Sequence, residues 1–114
     1  MEGCIFCDIA EGRMQADVVF SDDLVIAFKD INPQAPVHDV VIPRRHIPSA
    51  IDLTPEDAPL LSDLFQVMQK VAEIEGIADR GIRILTNVGL EADQVIKHLH
   101  FHVLGGRKMH WPPG

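Results

Sequence analysis

The stretch His98-Leu99-His100-Phe101-His102-Val103-Leu104 constrains this chain more than any other. Polar and apolar residues alternate strictly as far as Val103, the period of a half-buried β-strand. Such a strand sends His98, His100 and His102 to one face and Leu99, Phe101 and Val103 to a core on the other. Neighbouring imidazoles then lie roughly 6 to 7 Å apart, close enough for the rings to share one small ligand. Imidazole titrates near neutrality and serves as nucleophile, proton carrier or metal ligand. A solvent-facing strand that merely carries histidine is a poor explanation, because three of the chain's six histidines fall at strict two-residue spacing.

With 114 residues, the chain is expected to form one domain, residues 1–114. Its net charge of −7 argues against a nucleic-acid polymer as partner, since phosphate neutralisation needs a basic footprint. A small anion remains admissible where basic residues gather, and Arg44, Arg45, Lys97, Arg107 and Lys108 all lie near histidine-bearing segments. The opening residues lack an apolar run of signal-peptide length and no stretch is long enough to span a membrane. The expected location is therefore cytoplasmic. Two cysteines three positions apart do not make a disulfide framework.

Residues 4–10 read as a short apolar turn or helix with Ile5, Phe6 and Ile9 on one side. Residues 18–20 and 24–28 read as a hairpin around Ser21-Asp22-Asp23, and residues 38–42 as a third strand ended by Pro43. Thr54-Pro55-Glu56-Asp57 is a helix start, with Thr54 as N-cap and Pro55 at the first helical position. Leu60, Leu61, Leu64, Phe65, Met68, Val71 and Ala72 follow as a stripe meant for the sheet, and Gly76 is the stop. Residues 82–87 and 97–104 complete five strands. The expected class is α+β, with a five-stranded, mostly antiparallel sheet, one long helix and a short N-terminal helix.

On residues alone, two chemistries for the three histidines stay equally open. A neutral imidazole is a good nucleophile toward phosphorus, and a second can fix its tautomer or hold a phosphoryl oxygen. His-x-His on a strand is equally a zinc arrangement. Cys4-Ile5-Phe6-Cys7 has the spacing of two zinc thiolates but lacks two further ligands, and two small buried hydrophobes are its plain alternative.

"HLHFHVL" resembles the histidine triad, and "GGRKMHWPPG" and "DINPQAPVHDVVIPRRHI" are similar to the tail and middle strand of the nucleotide-binding (HINT) branch of histidine triad proteins. The resemblance implies the HIT-like fold, usually a two-fold homodimer. It also implies attack by His100 on the α-phosphorus of a purine nucleotide of the AMP or GMP type, through a nucleotidyl-histidine. His102 would then hold a phosphate oxygen, and His98 and His38 would orient their neighbours. His38 is equally well read as a satisfied histidine at a strand start. By the same resemblance Ile5, Phe6, Ile9, Phe28 and Ile31 form an apolar slot for the base, although each alone would be called core. Asp30 matches a ribose ligand, with an Asx-turn residue as the alternative. Asn87, Gln94 and Val95 match the phosphate side, and Trp111 a tail tryptophan that reaches the site across the dimer. The branch usually carries Gly-Gln-Ser/Thr where this chain has Asp93-Gln94-Val95, so one hydroxyl is missing and one negative charge is added. Bacterial members and uridylyltransferase relatives place CxxC with two histidines that match His46 and His98. This implies a structural zinc on Cys4, Cys7, His46 and His98, and no catalytic metal is expected. Three functions remain in play: a nucleoside phosphoramidate hydrolase, a nucleotide- or partner-binding module with weak catalysis, and a metalloenzyme using the triad as ligands.

Overall fold

The computed structural model describes residues 1–114. Helix α1 (Ile5–Ala10) precedes strands β1 (Val18–Ser21), β2 (Val25–Lys29) and β3 (Val37–Pro43). Two 3-10 turns, Ala50–Asp52 and Pro55–Asp57, lead into helix α2 (Ala58–Ile74), which is followed by β4 (Arg83–Leu85) and β5 (Phe101–Gly105). The sheet has the order β1-β2-β3-β5-β4, and every neighbouring pair is antiparallel. The expected α+β architecture is therefore present.

Both faces of the central sheet are covered. Val25, Ala27 and Val41 join Leu64, Met68 and Val71 of α2, while Ile26, Phe28, Val40 and Ile42 meet Phe6, Cys7 and Ala10 of α1. This is why β2 and β3 read as nearly continuous apolar runs instead of alternating ones. The β1–β2 turn is an Asx device, in which Asp22 Oδ1 accepts from the N–H groups of Leu24 and Val25.

Strand β5 is shorter than expected: it starts at Phe101, not at Lys97. Its partner β3 ends at Pro43, whose ring nitrogen has no proton to donate to a ladder. Residues 98–100 are held by other means. The Leu99 N–H donates to the Ile47 carbonyl at 2.6 Å, Thr86 Oγ1 donates to the His100 carbonyl at 2.7 Å, and His98 Nε2 donates to the Pro43 carbonyl at 2.8 Å. The alternation of faces survives, since Leu99, Phe101 and Val103 all enter the α2-side core. Strand β4 likewise covers only Arg83–Leu85 of the expected residues 82–87, because Thr86 already serves the His100 carbonyl.

Helix α2 starts through the Pro55–Asp57 turn, with Thr54 as the N-cap in a capping box with Asp57. Asp57 also pairs with Arg45. The chain leaves the helix at Gly76, whose φ of +73° a side chain would resist. The buried stripe is narrower than expected: Leu61 and Phe65 remain 36% and 42% exposed, and Val67 is buried in their place. Leu61 and Phe65 are one turn apart on the flank of the helix, where Phe65 meets Phe101 of the sheet edge-on, with ring centroids 5.7 Å apart. Asp39 of β3 is fully buried, and neither of its carboxylate oxygens has a hydrogen-bond partner. Burial, reinforced by the Glu75 carboxylate, pushes its pKa up to about 7.

Candidate active site and metal centre

Strands β3 and β5 are neighbours, with His38 opposite Leu104 and Val40 opposite His102. This register brings His38 and His102 together although 64 residues separate them. His38 Nε2 and His102 Nδ1 are 2.8 Å apart, and the rings of His102 and His100 have centroids 5.1 Å apart.

The backbone decides which nitrogens carry protons. The Gln34 N–H donates to His38 Nδ1 at 3.0 Å, so the His38 proton sits on Nε2. That proton is donated to His102 Nδ1, which leaves Nε2–H as the free donor of His102. His100 Nδ1 donates to the carbonyl of His98 at 2.7 Å, so its Nε2 presents a lone pair. Burial lowers the pKa of His38, with the Asp30 carboxylate, 3.4 Å away, pulling the other way. Burial and then the neighbouring His100 and His38 push His102 down to about 4. Neutral rings at these positions are what the relay of donors and acceptors requires.

Phe6 joins this cluster to a cavity. Its ring meets His100 edge-on, with centroids 5.1 Å apart, and Phe28 at 5.6 Å. The cavity, of about 510 Å³, takes its walls from α1, the loop that follows α1, and β2. Ile5, Phe6, Ile9, Phe28, Asp30 and Ile31 all line it. Ile31 stands fully exposed at the rim, so it is no core residue. Sequence reasoning missed Val40 and Ile96 in this wall. Val40 was legible, being two residues beyond His38 on a strand and therefore on the same face. Asp30 Oδ1 accepts from the Asn32 N–H at 2.8 Å, an Asx turn, while Oδ2 faces His38. Asp30 thus serves both its turn and the site.

The phosphate-side residues divide. Gln94 is buried, and its amide donates to the Pro48 and Ile96 carbonyls and accepts from the Gly89 N–H. Its side chain therefore clamps the loop before β5. Asn87 is half-buried beyond the end of β4 and does not line the cavity. Val95 is 78% exposed, and Trp111 stands in the tail with 82% of its surface exposed. Asp93 has φ +62°, a conformation in which glycine carries no strain. This explains in backbone terms why the similar motif has Gly there.

His98 turns away from the other two triad rings. Its Nε2–H is committed to the Pro43 carbonyl, so Nδ1 carries a lone pair. That nitrogen lies 3.3 Å from Cys4 Sγ, 3.5 Å from Cys7 Sγ and 3.2 Å from His46 Nδ1, and Cys7 Sγ is 3.3 Å from His46 Nδ1. A tetrahedral zinc with Zn–S of about 2.3 Å and Zn–N of about 2.05 Å separates its ligands by roughly 3.3 to 3.8 Å. The four donor atoms fit that ion, and all lie within 4.8 Å of one another. Burial and the adjacent Cys4 sulfur push the Cys7 thiol up, so two thiolates here call for a cation.

Fold and site together define a small α+β protein with a cluster of imidazoles on and beside the third and fifth strands, next to an apolar cavity with a carboxylate at its mouth. Residues 3–111 match the family described as scavenger mRNA decapping enzyme C-term binding. The chain is 46% identical over 113 residues to an uncharacterized HIT-like protein of Synechocystis sp., covering 99% of this chain and 98% of that one. It is 42% identical over 108 residues to the purine nucleoside phosphoramidase of Escherichia coli, covering 95% and 91%. The crystal structure of a HIT family hydrolase from Legionella pneumophila superposes with a TM-score of 0.96 at 44% identity, covering 98% of this chain and all of the other. The chain belongs to the HIT family.

Proposed function

We propose that the protein hydrolyses nucleoside phosphoramidates of the purine, AMP or GMP, type at the α-phosphate, residues 1–114 acting as one HIT domain. The observation that carries this reading is the 2.7 Å bond from His100 Nδ1 to the His98 carbonyl, which leaves Nε2 as a free nucleophile beside the Phe6 wall of the cavity. The base lies in the apolar slot of Ile5, Phe6, Ile9, Phe28 and Ile31, and Asp30 takes the ribose hydroxyls. His100 Nε2 attacks the α-phosphorus, forming an N–P bond as the substrate's P–N bond breaks, and the bond electrons leave on the amine nitrogen, which takes a proton from solvent. His102 Nε2–H stabilises a phosphoryl oxygen in the transition state, with His38 holding its tautomer. Water then cleaves the nucleotidyl-histidine on His100 and releases the monophosphate. The 42% identical phosphoramidase of E. coli supports the reaction class.

Cys4, Cys7, His46 and His98 hold a structural zinc in this reading. The ion would supply no chemistry to the reaction and would tie α1 to residues 98–100. A homodimer is supported by the exposed Leu61 and Phe65 of α2, Ile84 of the edge strand β4 and Trp111 of the tail. A second reading, a nucleotide-binding module with slow turnover, is favoured by the absent hydroxyl at Val95 and the charge of Asp93. Steady-state turnover of adenosine phosphoramidate separates the two: multiple turnovers to AMP support the hydrolase, and tight AMP binding without turnover supports the module.

A further inference from the structure

The relay of protons begins at a backbone group, the Gln34 N–H, in the loop between β2 and β3. A backbone donor in a loop directs a tautomer only if the loop cannot turn it away. Three contacts fix it. The Gln34 side chain turns back to donate to the Asn32 carbonyl at 3.0 Å. Pro36 lies against Gly106, where an added Cβ would come within 2.9 Å of Pro36 Cβ, so only glycine lets the loop and the end of β5 meet. Arg107, the next residue, donates Nη2 to the Gln34 carbonyl at 3.0 Å and Nη1 to the carbonyl of Lys108 at 3.1 Å.

We infer that Arg107 is a positioning residue that sets the tautomers of His38 and His102. Gln34 is thereby held by both of its backbone groups, the carbonyl by Arg107 and the N–H by His38. If the N–H swings off, His38 loses the donor that bars a proton from Nδ1, and only the Asp30 carboxylate, 3.4 Å from Nε2, opposes the shift. Once the proton moves, His38 Nε2 becomes an acceptor, and His102 must place its own proton on Nδ1 to satisfy the 2.8 Å contact. His102 Nε2 is left with a lone pair, which repels the phosphoryl oxygen that Nε2–H attracts. One exposed guanidinium thus acts, together with Asp30, on whether the site offers a donor or an acceptor. A carbonyl-directed pair of donors is suited to the planar guanidinium fork, and an ammonium replaces it only in part.

The role in catalysis rests on the functional reading above, whereas the tautomers themselves do not, and the experiment separates the two. The protein is labelled with 15N-histidine, and ring-nitrogen shifts are recorded for wild type, Arg107→Met and Arg107→Lys, with kcat and KM for adenosine phosphoramidate. Wild type shows His38 and His102 protonated on Nε2. In Arg107→Met, both rings become mixtures of tautomers, and kcat falls about tenfold while KM changes little, because the base slot is untouched. Arg107→Lys restores part of both. Unchanged ring-nitrogen shifts in Arg107→Met overturn the inference. If wild type itself shows no turnover, the functional reading falls and the nitrogen shifts alone decide the role of Arg107.

Discussion

The carbonyl oxygen of His98 accepts the Nδ1–H of His100 at 2.7 Å, so one histidine positions the other through its backbone while its own ring faces two cysteines and a third histidine. The proposed metal site and the proposed nucleophile therefore share one residue. Any disturbance of the His98 ring reaches the carbonyl that fixes His100.

Removal of the proposed zinc is expected to loosen α1 and residues 98–100 together. Cys4 both caps α1 and contributes to the cluster. Cys4→Ser, or treatment of wild type with a strong chelator, should lower Tm by on the order of 10 °C, equivalent to ~2 kcal/mol. Added zinc should restore the chelated protein and leave Cys4→Ser unrestored. Melting curves with metal analysis check this, and equal Tm with and without metal would count against the assignment.

The histidine relay makes the fold sensitive to acid. His102 titrates at about 4 in the folded protein against an ordinary 6.5. Between these values the unfolded chain binds more protons, so stability rises with pH and is lost as pH falls from 6.5 toward 4. His38 is shifted in the same direction by burial. Replacing the titrating ring, as in His102→Asn, should flatten the fall of Tm between pH 7 and pH 5. An unchanged slope would contradict the buried, neutral imidazole.

Asp39 acts with the opposite sign. Its pKa is raised from 3.8 to about 7, so the folded protein binds more protons across that window and stability falls as pH rises. Asp39 lies on the α2 side of β3, with apolar Val41 two residues on. Asp39→Val should stabilise the protein by roughly 1–3 kcal/mol at pH 8 and by less at pH 5, as urea unfolding at the two pH values would show.

Much of this was legible from periodicity. The alternation through residues 98–103 places Leu99, Phe101 and Val103 in the core even though only part of it is a strand, because side-chain direction depends on the local extended backbone and not on a ladder partner; it does not reveal that the His98 ring faces Cys4, Cys7 and His46, away from the other two. The Thr54-Pro55 start was readable for the same local reason. What escaped was set by distant partners. Gln94 matched a phosphate-side residue, yet Pro48, 46 residues away, takes its amide. Leu61 and Phe65 have helical spacing but lie on the flank of α2, where both stay partly exposed. The Gln34 N–H has no signature at all, since every residue but proline offers one.

In the proposed reaction His100 Nε2 carries the nucleotide. Mixing the enzyme with adenosine phosphoramidate, quenching within a turnover and mapping the adduct by mass spectrometry tests it most directly. An adenylyl group is expected on the peptide containing His100 in wild type. His100→Ala should carry none, retain its fold and lose at least about a thousandfold in kcat. An adduct on another residue, or full activity in His100→Ala, would contradict the account.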